Sequence, residues 1–130
     1  NVISDYVITK SKLFARVNLK DQEYELFQKL FDIMAPNLPV PDLLIYLHTP
    51  INKLQQNIKQ RGRTYEQTIS AEYLERVQQV YQQYLKQEAQ KTLIIDTGAF
   101  DFINEPLNFE KLISFLEKDY DFRTHYLSID

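Results

Sequence analysis

The chain has 130 residues, a formal net charge of −3 and a hydrophobic fraction of 44%, which suits one globular domain with a core of its own. Its acidic balance, with a pI of about 5.4, argues against sequence-independent binding to DNA or RNA, which requires a net basic face. The absence of cysteine excludes disulfides, zinc–thiolate sites and cysteine nucleophiles.

The sequence gives no sign of a membrane or secretory location. Its longest apolar run, Leu43 to Leu47, is far shorter than the roughly 20 residues of a membrane-spanning helix. No charged segment followed by an apolar one opens the chain. We therefore expect a cytoplasmic protein without membrane or nucleic-acid partners. Because the chain starts at Asn1 and enters an apolar segment at once, we also expect that a preceding segment is missing.

Three short segments have the composition of β-strands. They are Val2–Tyr6, Leu43–Leu47 and Thr92–Asp96. The second and third are nearly continuous apolar runs, which is typical of strands buried on both faces of a parallel sheet. The tail from 119 to 130 has no clear period, and no element is assigned to it.

Helical periodicity predicts four helices. The first runs from Asp21, as N-cap, to Ala35, and the second from Pro50, after an N-cap at Thr49, to about Lys59. Ser70 and Asn108 are the predicted N-caps of the other two. The order strand, helix, strand, two helices, strand, helix predicts an α/β fold with a parallel sheet.

A cluster of cations with a glycine between them follows the second predicted helix. Lys59, Arg61 and Arg63 lie close together, and Gly62 separates the two arginines. Guanidinium groups bind phosphate oxygens in a bidentate manner, and glycine lets the backbone bend so that both converge. Glu66 is placed to hydrogen-bond a sugar hydroxyl or to orient an arginine. The alternative is a basic helix end, whose cations gain roughly 0.3–1 kcal/mol from the helix dipole.

The wider pattern resembles the deoxynucleoside kinase family. The segment PDLLIYLHTP at 41–50 is similar to the family's buried strand, and RGRTYEQ at 61–67, followed by EYL at 72–74, is similar to its mobile LID. Upstream, ISDY at 3–6 resembles the bacterial branch that acts on purine deoxynucleosides. Downstream, LIID at 93–96 resembles the last core strand. The resemblance implies a P-loop kinase-like, Rossmann-type three-layer fold, incomplete at its N-terminus, as one domain over 1–130.

The resemblance also implies roles for residues of the LID, about 57–69. Arg61 and Arg63 match arginines that close over the transferring phosphoryl group and neutralise the charge developing on its oxygens. Glu66 matches the carboxylate that reaches the deoxyribose 3′-hydroxyl. Phe14 matches the aromatic ring that stacks on the base, and a helix core residue is the alternative.

Two further groups of residues are matched outside the LID. Phe100, Asp101 and Phe102 match the loop, about 97–102, whose backbone lines the adenine of ATP, and an ordinary turn before a helix is the alternative. Asp5 matches an acidic residue that serves Mg²⁺ in catalysis, and Lys10 supplies positive charge at the substrate.

The chain departs from the family pattern in three informative ways. Many relatives carry an acidic residue followed by arginine after the first predicted strand, where this chain has Ser4-Asp5-Tyr6 and no arginine before Arg16. Many family LIDs have an arginine four positions before Arg61, where this chain has Asn57. No GxxxxGK[ST] loop is present, and the two glycines, Gly62 and Gly98, could not form one. That loop holds ATP phosphates through backbone N–H groups, and with the general base it would precede Asn1. We therefore expect the isolated chain to be inactive and to expose a strand edge.

The leading hypothesis is ATP- and Mg²⁺-dependent phosphorylation of the 5′-hydroxyl of a deoxynucleoside. The resemblance to the bacterial purine branch implies a purine deoxynucleoside. A thymidylate or nucleoside-monophosphate kinase is a rival, because those enzymes also use arginine-rich LIDs. A non-catalytic remnant that serves as a dimerisation module is the second rival. The resemblance implies a homodimer packed through helices, and the helix 21–35 is the candidate surface.

Overall fold

The computed structural model describes residues 2–5, 8–87, 91–99, 101, 104–121 and 123–128. The helices in this part of the chain are α1 (Ile8–Asn18), α2 (Asp21–Met34), α3 (Ile51–Arg61), α4 (Ala71–Gln87) and α5 (Pro106–Leu116). The strands are β1 (Leu44–His48), β2 (Thr92–Asp96) and β3 (Thr124–Ser128), and short 3₁₀ turns follow α2 and α3. No helix among these residues is long and apolar enough to cross a membrane.

The strands form one parallel sheet in the order β1–β2–β3. Its register aligns Tyr46 with Ile94 and Tyr126 across the three strands. Because successive side chains of a strand point to opposite faces, even-numbered strand residues share one face and odd-numbered residues share the other. The predicted α/β fold with a parallel sheet is confirmed.

The core lies on the odd-numbered face, under α5. Leu93 and Ile95 of the central strand β2 have no exposed surface. Leu112, Phe115 and Leu116 of α5 pack against them. Leu93 and Ile95 therefore form the apolar centre of the sheet. Burial of a leucine or isoleucine side chain stabilises the folded state by about 1.5–3 kcal/mol.

The even-numbered face is covered by α4. The Tyr81 ring stacks on Tyr46 with 5.4 Å between centroids, and the Thr124 hydroxyl donates a hydrogen bond of 3.4 Å to the Leu85 carbonyl. Helix α1 packs on α4, and Phe14 contacts Tyr81 edge to face. Helices therefore flank the sheet on both faces, which confirms the three-layer arrangement.

The two connections between strands have opposite hands. Both step in the same direction, from β1 to β2 and from β2 to β3. The first passes through α4 on the even-numbered face, and the second passes through α5 on the odd-numbered face. One of them is consequently left-handed, although about 98% of such crossovers are right-handed. Helix α4 contacts β1 through the Tyr81 and Tyr46 rings and the beginning of β3 through Leu85 and Thr124.

The predicted strand at Val2–Tyr6 is wrong for the residues that the structure describes. Residues 2–5 are not in a strand, and Val2 and Ile3 are 94% and 95% exposed. Tyr6 lies outside the described residues. A strand requires a neighbour for its backbone hydrogen bonds, and none of the three described strands pairs with this segment.

The prediction that two strands are buried on both faces holds for β2 and fails for β1. Strand β1 lies one residue later than predicted, and its Ile45 and Leu47 are 38% and 49% exposed. Strand β1 is more exposed because it forms the edge of the described sheet, and because α5 packs on the central strand β2.

Several helix boundaries differ from the predictions by a few residues. Helix α2 begins at Asp21, which is not its N-cap, and α3 begins at Ile51, one residue after the predicted start. Helix α5 begins at Pro106, so Asn108 lies inside it. The Ser70 cap is confirmed, because the Ser70 hydroxyl accepts a hydrogen bond of 3.2 Å from the Tyr73 N–H. The sequence analysis missed α1 and β3.

Gly62 ends α3 in a conformation that favours glycine. Its φ is +70°, and its N–H donates to the Ile58 carbonyl at 3.2 Å. Gly62→Ala is expected to reduce the free energy of unfolding by about 1–2 kcal/mol, because a Cβ strains the left-handed region. No atom lies within 4 Å of the added Cβ, so the effect comes from the backbone alone. Urea denaturation measures it, and Gly62→Asn is the control, because asparagine tolerates this region. Equal stability of both variants would contradict the explanation.

Candidate functional site

The candidate site is built where β1 and β2 end. Helix α3 follows β1 through Thr49-Pro50, and the loop at 97–102 follows β2. The Thr49 and Thr97 hydroxyl oxygens lie 2.6 Å apart, and the Thr97 N–H and hydroxyl donate to the His48 carbonyl at 2.8 and 2.9 Å. Gln78 of α4 donates to the Thr49 carbonyl at 2.6 Å. Both loops are thus held at the carboxyl edge of the sheet, where ligands bind in open α/β folds.

The LID holds two arginines around a buried carboxylate. Arg61 is the last residue of α3, and its Nη2 donates to Oε2 of Glu66. Nη1 of Arg63 lies 3.6 Å from the other carboxylate oxygen, Oε1. The Glu66 side chain is only 11% exposed, whereas the guanidinium-bearing side chains are 49% and 55% exposed. One buried anion therefore fixes two cations that still face solvent, which leaves a net positive charge.

Gln67 is a site residue that the sequence analysis missed. Its side-chain amide donates to the Ile58 carbonyl at 2.9 Å and to the Arg63 carbonyl at 3.1 Å. The first acceptor belongs to the last turn of α3 and also accepts the Gly62 N–H. Gln67 therefore connects the backbone at Arg63, after the helix, to the last turn of α3. The sequence signal for this residue was its place after Glu66 in the RGRTYEQ motif. Only the structure shows which carbonyl groups its amide contacts.

A cavity of about 280 Å³ lies beside the LID. Its walls include Ile58 and Lys59 of α3 and Glu66, Gln67 and Ile69 of the following segment. The Glu66 Oε1 atom is buried and accepts no hydrogen bond from the described residues. A buried acceptor without a donor costs about 1–3 kcal/mol, so a ligand that donates a hydrogen bond here is favoured.

The structure places the other predicted substrate residues on or before α1. Asp5 is exposed in a bend, and Lys10 is half-buried on the helix. The Phe14 ring is half-buried and lies 6.3 Å from the Tyr81 ring. Phe14 is therefore part of the packing between α1 and α4, as the core alternative expects. Its stacking on a base stays a prediction, as do the roles of Asp5 and Lys10.

The predicted adenine loop is only partly described. Phe100 and Phe102 lie outside the described residues. Asp101 is exposed, and its carboxylate accepts hydrogen bonds from the Asn104 N–H at 3.0 Å and from the Asn104 amide at 2.8 Å. These bonds close a turn ahead of α5. The role of this loop at the adenine of ATP remains a prediction.

The described residues do not by themselves form a metal site. Within them, no group of three or more His, Asp or Glu side chains could hold a metal ion. The exposed groups of the LID are guanidinium groups, which donate hydrogen bonds and bind anions, not metal cations. The geometry of the LID therefore fits phosphate oxygens.

Comparison with known proteins identifies the family. Residues 1–119 match the family model described as deoxynucleoside kinase. The chain belongs to the deoxynucleoside kinase family. It is 30% identical over 122 residues to deoxyguanosine kinase of Bacillus subtilis (strain 168), a match that covers 90% of this chain and 59% of that protein. It is 26% identical over 124 residues to deoxyadenosine kinase of Dictyostelium discoideum, covering 92% and 49%.

A solved member of the deoxynucleoside kinase family has the same fold. The structure of deoxyadenosine kinase from M. mycoides with bound dCTP superimposes with a TM-score of 0.74 at 22% identity. The match covers 86% of this chain and 61% of that one. The predicted P-loop kinase-like fold is confirmed. The chain spans about half to three-fifths of the length of these relatives.

Proposed function

We propose that this chain is part of an enzyme that transfers the γ-phosphoryl group of ATP to the 5′-hydroxyl of a purine deoxynucleoside, in nucleotide salvage. Membership in the deoxynucleoside kinase family supports the reaction class. The names of the relatives, deoxyguanosine kinase and deoxyadenosine kinase, support a purine acceptor. In this proposal the chain supplies the LID and part of the base-binding region.

The observation that carries the proposal is the arginine pair of the LID. Arg61 and Arg63 flank a left-handed glycine, and both are held by the buried Glu66 with about half of each side chain exposed. Phosphoryl transfer needs little covalent chemistry from the protein and depends on positioning and charge stabilisation. Fixed guanidinium forks supply both, because they need little reorganisation when a phosphate arrives.

The environment of Glu66 supports a neutral acceptor with a free hydroxyl. Its Oε1 atom lacks a hydrogen-bond donor among the described residues, and the residue lines the cavity beside the LID. The deoxyribose 3′-hydroxyl is a donor of the required kind. A nucleoside monophosphate would bring a second anion near this carboxylate, so the geometry favours the nucleoside over the monophosphate as acceptor.

The donor would be held by the LID arginines and the loop at 97–102. Arg61 and Arg63 would bind phosphate oxygens, and the backbone at Phe100, Asp101 and Phe102 would line the adenine. Mg²⁺ supplies charge neutralisation between the phosphates in this class of reaction. Asp5 is the residue of this chain that the family pattern relates to it.

A dimerisation module is the second candidate function, and one face of α2 favours it. Leu26, Leu30, Ile33 and Met34 lie along that face and are 62%, 54%, 70% and 54% exposed. Apolar residues at this spacing form one stripe on a helix, and stripes of this kind mark interaction surfaces. We propose that a second copy of the chain covers it, in the enzyme as well as in a non-catalytic module.

The reading frame upstream of Asn1 provides the test. The frame is expected to encode a GxxxxGK[ST] loop, and its product is expected to phosphorylate deoxyguanosine or deoxyadenosine with ATP. Product formation is followed by chromatography of the four deoxynucleosides after incubation. The 130-residue chain alone is the matched control and is expected to form no product.

Two outcomes separate the candidates. A frame without the loop, whose product dimerises in sedimentation analysis and phosphorylates no nucleoside, would replace the kinase by the dimerisation module. Activity on thymidylate in preference to all four deoxynucleosides would replace the nucleoside by a monophosphate as acceptor.

A further inference from the structure

A second cavity, of about 440 Å³, lies on the even-numbered face of the sheet. Its volume is within the roughly 300–1,000 Å³ that is common for small-molecule sites. The floor consists of Tyr46, Ile94 and Tyr126, which are aligned across the three strands. The wall consists of Gln82 and Lys86, which share one side of α4 because they are four residues apart.

The cavity exists because the sheet extends beyond the helix that covers it. Helix α4 packs over β1 through Tyr81 and Tyr46, and α5 lies on the opposite face. Among the described residues, α4 contacts this face of β3 at Thr124, whose hydroxyl donates to the Leu85 carbonyl, whereas Tyr126, the next residue on the same face, is 69% exposed. The family match ends at residue 119, so the side of the cavity formed by β3 comes from residues beyond it.

The two ends of the cavity differ in charge. The Leu85 carbonyl accepts a hydrogen bond from the Thr124 hydroxyl. The backbone of the next residue, Lys86, therefore lies near the beginning of β3. His48, Asp96 and Ser128, which are aligned with one another, end the three strands at the other side. Four residues of a strand span about 13 Å. One end is thus cationic, and the other carries a carboxylate and an imidazole.

The polar groups at the two ends of the cavity remain able to bind a ligand. Lys86 forms no ion pair with a described carboxylate, although it lines the cavity. The Nδ1 atom of His48 is buried and has no hydrogen-bond partner among the described residues. Asp96 uses Oδ1 to accept from the Gly98 N–H at 2.8 Å, and its other oxygen is available to a ligand. A buried polar atom without a partner is unfavourable, so a ligand that donates a hydrogen bond to the His48 Nδ1 atom is favoured, while Lys86 and Asp96 are exposed and accessible to a charged or polar ligand.

We propose that this cavity binds a small molecule that has a planar aromatic ring with an amino group at one end and an anionic group at the other. The ring lies on Ile94 and against Tyr126, the amino group donates to Asp96 or His48, and the anion pairs with Lys86. A nucleotide whose base has an exocyclic amine has this chemistry. The site is separate from the LID and uses none of its residues.

Isothermal titration of the 130-residue chain with dAMP, dIMP and deoxyadenosine tests the proposal. dIMP lacks the exocyclic amine, and deoxyadenosine lacks the phosphate. We expect dAMP to bind at least tenfold more tightly than either. Lys86→Met is expected to reduce the advantage of dAMP over deoxyadenosine, and Asp96→Asn its advantage over dIMP. The Asp96→Asn change retains an oxygen for the Gly98 N–H.

Arg61→Ala and Arg63→Ala distinguish this site from the LID. Both are expected to leave dAMP affinity within about twofold of the unmodified chain, since neither contacts the cavity. If they abolish binding while Lys86→Met has no effect, the nucleotide binds at the LID and the cavity proposal is wrong. Absence of dAMP binding at millimolar concentration also overturns it, and leaves the proposed kinase function untouched.

Discussion

Arg61→Ala and Arg63→Ala are each expected to slow phosphorylation of a purine deoxynucleoside by at least about tenfold, which is about 1.4 kcal/mol of transition-state stabilisation. Each guanidinium has about half of its side chain exposed while Glu66 holds it in position. A fixed cation of this kind stabilises the charge that develops on the transferring group. The measurement is kcat and KM of the product of the full reading frame, with ATP and deoxyguanosine or deoxyadenosine.

Two further variants separate loss of a phosphate contact from damage to the LID. Arg61→Ala leaves the buried Glu66 carboxylate without its main partner, which by itself is destabilising. The double variant Arg61→Ala, Glu66→Gln removes that buried charge. If the arginine binds phosphate, the double variant is at least as slow as the single one, because Glu66→Gln also alters the proposed contact with the 3′-hydroxyl. If the double variant regains activity, the single variant acted through the unpaired carboxylate.

Arg76→Ala on α4 is the matched arginine control. Its guanidinium lies over the Tyr73 ring, 5.8 Å from the centroid, and takes no part in the LID. Its activity is expected to stay within about twofold, which is within the spread of surface substitutions. Unchanged activity in Arg61→Ala and Arg63→Ala would show that both arginines only complement the dipole of α3.

Leu93→Ala is expected to lower the free energy of unfolding by about 2–5 kcal/mol. Leu93 has no exposed surface and packs, in the central strand, against the α5 residues Leu112, Phe115 and Leu116. Truncation removes buried methyl groups and leaves a cavity that the flanking helix and strands can only partly fill. Urea denaturation followed by circular dichroism measures the change.

Leu47→Ala is the matched control for this substitution. Leu47 is in the same sheet and on the same face, but it is 49% exposed. Its truncation is expected to cost less than half as much, since less apolar area leaves water. A loss equal to that of Leu93→Ala would mean that the outer part of β1 is covered in solution, for example by a second copy.

The sequence predicted the parts of the fold that depend on local pattern. β2 was located at its observed boundaries, because its apolar run is bounded by polar residues and is buried on both sides in the structure. The Ser70 cap was predicted because a hydroxyl at that position satisfies a free N–H of the first turn. Val2–Tyr6 has the same strand-like composition, yet residues 2–5 form no strand, because pairing depends on a neighbour that composition does not reveal.

In the candidate site, too, the sequence predicted which residues matter, and the structure showed which atoms they contact. Arg61, Gly62, Arg63 and Glu66 were singled out because guanidinium groups, a flexible residue and a carboxylate lie at short spacing along the chain. The sequence left open whether Glu66 reaches a sugar or an arginine. The folded LID brings its carboxylate to Arg61 and leaves Oε1 without a donor among the described residues, which is a matter of side-chain geometry. The roles of Phe14, Asp5 and Lys10 stay predictions.

By itself, the sequence determined the fold class, the family and the cluster of the LID, because periodicity and motif spacing are properties of neighbouring residues. Only the tertiary structure decided that β3 joins the sheet beside β2, that the two crossovers have opposite hands, and that a cavity opens beside α4. The segment THYLS of β3 has no apolar run, and its place depends on the free edge of β2. Contacts between residues far apart in the chain fix these features, and no local pattern encodes them.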